Sequence, residues 1–404
     1  MSRIFARSWI YLGHDSQIAD PGCFFATQIG REPVLVIRQT DGSIRALLNR
    51  CAHKGMQLCP DGATGKKRLL HCGYHGWTYH LDGRVRTVPV EQGYEGTCVS
   101  RGSAGLSAIG AIAHYRGFIF GRLQAEGPDL LSWLGPMRSS LDNFVDRAPE
   151  DRVVVAGGVL RYLHHANWKF FAENTLDALH PMVVHQSAVA QARKAQAQRT
   201  EQGLDVPFEL QAVVPFGAPY SFFNDMGQRG APFGHGDLGN RSSIHSGYES
   251  QQEYFQTLSS ARGEEQARQI LSISRNNSVL YPSIMFKAPV SLVRVIKPLA
   301  VDRTLIETWH FRLCGAPDDL FHRTVQYSTI VNSSAGAVGP DDHVAYQRLQ
   351  RGLQGQLNDW VLLARYPGQE TADEEGALST QGTSDFVYRN QFAAWSEYMQ
   401  QDAS

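Results

Sequence analysis

The chain has 404 residues, 42% of them hydrophobic, and a formal net charge of -1, enough material for two or three domains with their own cores. No long stretch is dominated by Lys and Arg, so the electrostatic footprint of a nucleic-acid binder is missing, and "GKKR" at 65–68 reads as a solvated turn. No run approaches the roughly 20 apolar residues of a membrane helix, and "MSRIFARSWIYLGHDS" has no charged-then-apolar leader with a small-residue cleavage site; a cytoplasmic protein without membrane contact is expected.

From about residue 9 to 122 short strands are predicted in "CFFATQI", "PVLVIRQ", "SIRALLN", "GWTYHLD" and "RGFIFGRL", with hairpin turns at Asp41-Gly42 and Asp82-Gly83. This is an all-β domain. After the Pro- and acid-rich "RAPEDR" the texture changes to a strand, "VVVAGGVLRYL", and a helical "NWKFFAENTLDALH", which places a boundary near 150 and domains at 1–150 and 151–404. Residues 186–260, polar and in places Gly-rich, are expected to form a functional loop or lid. Strands return in "PVSLVRVIKPL" and "TLIETWHFRLC", and helices are predicted at 341–364 and 385–400, the last with Tyr388, Phe392, Trp395 and Met399 as a core-packing stripe.

Two of the six cysteines fall in "CAHKGMQLCPDGATGKKRLLHCGYHGW", as Cys51-Ala-His53 and Cys72-Gly-Tyr-His75. Thiolates and imidazoles at such spacing point to a metal, and both one tetrahedral zinc and an iron–sulfur centre fit the pattern. Gly55, Gly73 and Gly76 let the backbone approach a cluster closely. The remaining cysteines, Cys23, Cys59, Cys98 and Cys314, read as small buried hydrophobes in a reducing compartment.

A second constellation, Asp177, His180 and His185, lies in "NWKFFAENTLDALHPMVVH". On a regular helix the five-residue step would carry His185 about 140° around the axis from His180. Pro181 must kink or end the helix, and that break lets the two imidazoles converge. Two histidines so spaced are by themselves more often structural; with one carboxylate and an open face they make a non-haem Fe(II) site.

The pattern C-x-H … C-x2-H resembles the Rieske [2Fe–2S] signature, and the words "CAHKG", "CGYHGW" and "ENTLDALHPMVVH" are similar to those of ring-hydroxylating oxygenase α subunits. The respiratory-chain form, with an extra cysteine in each loop, does not match Gly55-Met56 and Tyr74. The resemblance runs from "RSWIYLGHDSQI" to "RNQFAAWSEYM" and lacks a leading segment usual in larger members.

It implies an α+β fold, with an all-β Rieske domain followed by a helix-grip (START-like) antiparallel-sheet catalytic domain. Cys51 and Cys72 would hold one iron of the cluster and His53 and His75 the other, with Tyr74 and Trp77 shielding it and Cys59 packed beneath the loop. His180, His185 and Asp342 would bind Fe(II), with Asp341, the runner-up ligand, as a helix N-cap; Asn174 and Asp177 would orient the ligands, and Asp177 would relay electrons from the cluster of an adjacent subunit in a homotrimer.

A reductase, with or without a ferredoxin, would deliver electrons from NAD(P)H, and a small β subunit is a further possible partner. O2 would hydroxylate an aromatic substrate, leaning toward aromatic carboxylates such as terephthalate, salicylate or benzoate, with Arg294 and Arg389 as a carboxylate clamp and Phe222, Phe223, Met226, Ile284 and Phe286 as pocket walls. A monooxygenase or demethylase of the same architecture, and an electron-transfer or zinc-binding protein without oxygen chemistry, are the alternatives.

Overall fold

A computed structural model describes residues 3–97, 104–240, 242–245 and 251–400. The chain forms two compact units that divide after Leu130. That is earlier than the expected 150. The helix Arg138–Asp146 explains the shift: Asn143 donates to the Ile270 carbonyl at 2.8 Å, and Phe144 packs edge-on against Phe286 and Phe311, all in the second unit.

The described residues of the first unit hold ten strands: β1 (Ile10–His14), β2 (Cys23–Ile29), β3 (Glu32–Arg38), β4 (Ile44–Leu48), β5 (Thr64–Lys66), β6 (Leu70–His71), β7 (Thr78–Tyr79), β8 (Val85–Thr87), β9 (Ala111–Tyr115) and β10 (Phe118–Arg122). They form antiparallel sheets in the orders β1-β10-β9, β4-β3-β2-β5 and β6-β7-β8. In β3, Val34, Leu35, Val36 and Ile37 are all fully buried, the continuous apolar run of a strand covered on both faces. Both hairpins fall at Asp41-Gly42 and Asp82-Gly83 as predicted, with both glycines at positive φ.

The second unit is built on one nine-stranded antiparallel sheet. Its strands are β11 (Val153–His164), β12 (Gln228–Ala231), β13 (His235–Leu238), β14 (Asn277–Leu280), β15 (Ile284–Lys287), β16 (Leu292–Ala300), β17 (Arg303–Leu313), β18 (Thr371–Ala372) and β19 (Leu378–Thr380). Their order is β11-β17-β16-β15-β14-β13-β12-β19-β18. One face is covered by Arg138–Asp146, where buried Asp237 accepts from Ser140 at 2.9 Å and from Arg229 at 2.7 Å. The other face carries the pocket described below.

Three expectations change here. Residues 186–260 are not a loop: Gln186–Glu201 and Gln252–Arg262 are helices, and the Gly-rich stretch supplies β12 and β13. Its glycines reflect crowding, since a Cβ on Gly230 would lie 2.5 Å from the Phe386 ring of the final helix. The helix expected over 341–364 is Gly339–Gly352, and the residues after it are irregular and exposed. The final helix, Phe386–Gln400, buries Val387, Tyr388, Gln391, Ala394 and Tyr398, while Phe392, Trp395 and Met399 of the expected stripe are only half-buried.

Candidate metal centres and substrate pocket

The two Cys–His loops in the first unit close in the same way. Cys51 N–H donates to the Met56 carbonyl and Gly55 N–H to the Cys51 carbonyl, at 2.8 and 2.9 Å; Cys72 repeats this with Trp77 and Gly76, at 2.8 and 3.1 Å. Gly55 and Gly76, four residues past each cysteine, have φ of 79° and 75°, a conformation that costs a residue with a Cβ. The common frame accepts a histidine two or three residues after the cysteine. It brings the rings of His53 and His75 to 4.5 Å between centroids, above two buried, unbridged thiols.

The donor set fits a [2Fe–2S] cluster. His53 Nδ1 is buried without a hydrogen-bond partner, as an imidazole reserved for a metal would be. Tyr79, fully buried, places its hydroxyl 3.1 Å from Cys51 Sγ and accepts the Ala52 N–H at 3.1 Å. Burial, and then the Cys51 hydrogen bond, push the phenol well above its ordinary pKa. It stays protonated and can donate to a thiolate. Trp77 is buried and stacks on His53 with planes 3° apart, while Tyr74 is exposed and lies against the His75 ring. Cys59 is buried beneath this loop, held by Asn49, whose side chain bonds the Cys59 carbonyl and amide. Cys314 is buried, Cys23 only half-buried, and Cys98 lies outside the described residues.

In the second unit the segment around Pro181 differs from expectation in an informative way. The helix Trp168–Asn174 ends six residues before His180. Asp177 Oδ1 then accepts the amides of Leu179 and His180, at 2.6 and 3.3 Å, and makes the turn. Pro181 does not end a helix; it opens the short helix Pro181–Val184, at a position where its missing N–H goes unneeded. His180 precedes that helix, and His185 joins it to Gln186–Glu201. The imidazoles therefore sit at opposite ends of one helical turn, with ring centroids 5.5 Å apart.

The helix Gly339–Gly352 delivers both acids in its first turn. Asp342 Oδ1 lies 3.6 Å from His180 Nε2 and 3.5 Å from His185 Nε2. Ligand atoms of His180, His185 and Asp342 all fall within 4.8 Å of one another, a two-imidazole, one-carboxylate set that fits a small divalent ion. Asp341 is not a helix cap. It faces His185 Nδ1 at 3.4 Å, just as Asp177 faces His180 Nδ1 at 3.6 Å. Each imidazole thus has a carboxylate beside its far nitrogen, hydrogen-bonded for His185 and within ion-pair range for His180, while both Nε2 atoms face Asp342. Asn174 Nδ2 reaches His180 Nε2 at 3.1 Å and Asp342 Oδ1 at 3.4 Å.

The electrostatics follow this layout. Burial works to lower the pKa of His180, but the hydrogen bond and charge of Asp177, with Asp342, raise it; for His185 burial wins and lowers it. Burial works to raise Asp177, yet His180 and the turn amides hold it below the usual carboxylate value.

His180, His185, Asp342, Asp177 and Asn174 line one pocket that opens partly to solvent. Arg294 lines it, with its guanidinium on the Tyr162 hydroxyl and 4.4 Å over the Phe171 ring, and so does Phe223. The other expected contacts are elsewhere. Arg389 pairs with Glu370 at 2.7 Å and caps the Leu363 and Arg365 carbonyls, away from the pocket lining. Ile284 and Phe286 point to the opposite face of the sheet, with Phe286 against Phe144. Met226 is core, and Phe222 packs edge-on against Phe223 without reaching the lining.

Lys287, His164, Asn277 and Asn332 were not expected as working site residues, and Asp341, expected as runner-up ligand or helix cap, instead faces His185 Nδ1. Alternation along β15 carries the signal for Lys287, which shares a face with Met285, the partner of Arg294. Asn332 had no such signal, because it reaches the pocket on a π-helical turn, Ser328–Asn332.

Fold and site together define an oxidoreductase subunit with an iron–sulfur module and a separate mononuclear-metal module. The Rieske [2Fe-2S] domain family matches residues 8–100, and the family described as ring hydroxylating alpha subunit (catalytic domain) matches 152–382. Toluate 1,2-dioxygenase subunit alpha of Pseudomonas putida is 33% identical over 371 residues, covering 89% of this chain and 77% of its own. The 2-halobenzoate 1,2-dioxygenase large subunit of Burkholderia cepacia is 31% identical over 378 residues, covering 90% and 76%. A solved structure of naphthalene 1,2-dioxygenase with indole in its active site shares the fold at a TM-score of 0.80 and 23% identity, over 99% of this chain and 88% of that one. The chain belongs to the ring-hydroxylating dioxygenase alpha subunits, which are Rieske non-haem iron oxidoreductases of multicomponent systems carrying a [2Fe–2S] cluster and a mononuclear Fe(II). Among the described residues no helix is long and apolar enough to cross a membrane.

Proposed function

We propose that the chain dihydroxylates an aromatic carboxylate, with Cys51, His53, Cys72 and His75 holding the cluster and His180, His185 and Asp342 holding Fe(II). When bound, the cluster supplies single electrons and the Fe(II), with open coordination positions, activates O2. The chain's residues do the rest. Asp177 and Asp341 sit beside the far nitrogens of the two ligand imidazoles, Asn174 Nδ2 can donate to the Asp342 carboxylate once His180 Nε2 is given to the ion, and Phe216 and Phe223 help to exclude water.

One observation carries this reading: three ligand atoms within 4.8 Å share a pocket with Arg294, which has no carboxylate partner among the described residues. The guanidinium offers a planar fork to a substrate acid. The named relatives acting on toluate and 2-halobenzoate support the same class. With Arg389 committed to Glu370, the clamp reduces to Arg294 on this side. A homotrimer, with electrons passing from the cluster of one copy through Asp177 of the next, delivery by a reductase and ferredoxin, a small β subunit and a cytoplasmic location complete the proposal.

Iron content and oxygen uptake test it. Asp342→Ala is expected to lose the mononuclear iron and all uptake with aromatic acids while keeping the visible absorption of the cluster. Asp341→Asn is expected to keep the ligands and weaken iron retention or turnover by about 10- to 100-fold. Full iron and normal uptake in Asp342→Ala would refute the ligand assignment.

A further inference from the structure

The pocket face of the sheet carries a second cation. Met285 pairs with Arg294 and Lys287 with Leu292, so Lys287 and Arg294 are diagonal neighbours on one face, roughly 7–8 Å apart. Both line the pocket. Lys287 is only 5% exposed, and among the described residues its side chain has no hydrogen-bond or ion-pair partner; its Nζ lies over the Tyr327 ring, 5.8 Å from the centroid. The lining acids are Asp177 and Asp342, and both are engaged by the histidine pair. Neither basic side chain has an acid of its own.

A buried ammonium without a counter-ion is costly. Burial, and then Arg294, hold the Lys287 pKa well below its ordinary value, with Asp342 opposing, so the ammonium is disfavoured in the empty pocket and an anionic ligand beside it restores the charge. The neighbouring lining is also short of partners: His164 Nε2, Asn276 Oδ1, Asn277 Oδ1 and Asn332 Nδ2 are buried without hydrogen bonds. A pocket for a bare hydrocarbon ring gains nothing from such groups. A carboxylate can accept from Asn332 Nδ2 and the two basic side chains, while a hydroxyl or amino substituent on the ring can donate to the Asn276 and Asn277 oxygens.

Resting on the aromatic-acid reading above, we propose that Lys287 is the specificity-determining residue of this site: with Arg294 it forms a two-cation seat for the ring's carboxylate, and it is what selects the acid over a neutral ring of the same shape. Asn277 and Asn332 then serve a second hydrogen-bonding substituent.

Calorimetric binding to the iron-loaded oxygenase without reductase, so that no turnover occurs, tests this with benzoate and its neutral analogue benzamide. The wild type is expected to prefer benzoate. Lys287→Met, and Lys287→Gln as a second variant, are expected to weaken benzoate by about 10- to 100-fold and benzamide by less than about 2-fold, with the cluster absorption unchanged. Equal weakening of both ligands, or no change in benzoate, would overturn the role of Lys287. If Arg294→Met alone abolishes the preference, the acid reading stands and the Lys287 seat falls. If the wild type does not distinguish the two ligands, both fall.

Discussion

Tyr79→Phe isolates one hydrogen bond to the iron–sulfur site. The ring is fully buried against Trp77, so phenylalanine fills the same space, and the variant deletes only the hydroxyl 3.1 Å from Cys51 Sγ and Ala52 N. A donor to a thiolate sulfur strengthens as that sulfur gains charge, so it favours the reduced state. A charge-assisted bond of this kind differs between the two states by about 1–2 kcal/mol. Because about 1.4 kcal/mol is tenfold in an equilibrium and tenfold is 59 mV for one electron, the midpoint potential should fall by about 40–90 mV. The Ala52 N–H loses the same partner, and because Ala52 is exposed water can replace it at a cost of no more than about 1 kcal/mol. Potentiometric titration at fixed pH, followed by circular dichroism or electron paramagnetic resonance, measures the shift. Tyr94→Phe is the control, since Tyr94 meets Trp77 edge-on at 5.9 Å and the hydroxyl beside Cys51 belongs to Tyr79. A potential unchanged within about 10 mV, or raised, would refute the reasoning.

Two stability predictions concern the second unit. Gly230→Ala would put a Cβ 2.5 Å from the Phe386 ring and should cost about 1–3 kcal/mol in denaturant unfolding; Gly352→Ala, where nothing lies within 4 Å, should stay within about 0.5 kcal/mol. Equal effects would show that the glycine is not answering to crowding. His235 donates from Nε2 to the Trp133 carbonyl at 3.0 Å and accepts the Tyr281 N–H on Nδ1 at 3.0 Å, so a second proton has nowhere to go. Burial lowers its pKa from 6.5 to about 3. The unfolded chain therefore binds the extra proton first. The stability this group contributes is complete above pH 6.5 and is lost as pH falls toward 3, by up to about 1.4 kcal/mol per pH unit. Urea unfolding at pH 7, 6 and 5 should show that slope flattened in His235→Gln, and an unchanged slope would count against it.

Local chemistry makes much of this protein legible in the order of its residues. Cys51, His53, Cys72 and His75 stand out because a cluster loop must supply its donors within a few residues and turn on a glycine, and the frames of the two loops differ only in where the histidine sits. Runs such as Val34–Ile37 announce buried strands because side-chain alternation and burial are written residue by residue.

What the sequence could not decide is everything set by contacts across long separations. Asp341 and Asp342 look alike in the chain; only the approach of Gly339–Gly352 to Pro181–Val184 turns one acid to the far nitrogen of His185 and the other between both imidazoles. As residue types Arg389 and Arg294 are equally good clamps, and tertiary packing gives one to Glu370 and the other to the pocket. Ile284 and Phe286 went to the wrong face by one residue of register, the same step that hid Lys287. Residue type and spacing fix which chemistry is available, because ligation and turn formation are short-range. The facing of a strand, the end a proline occupies in a helix and the partner a charge finds are free energies of the whole packed unit.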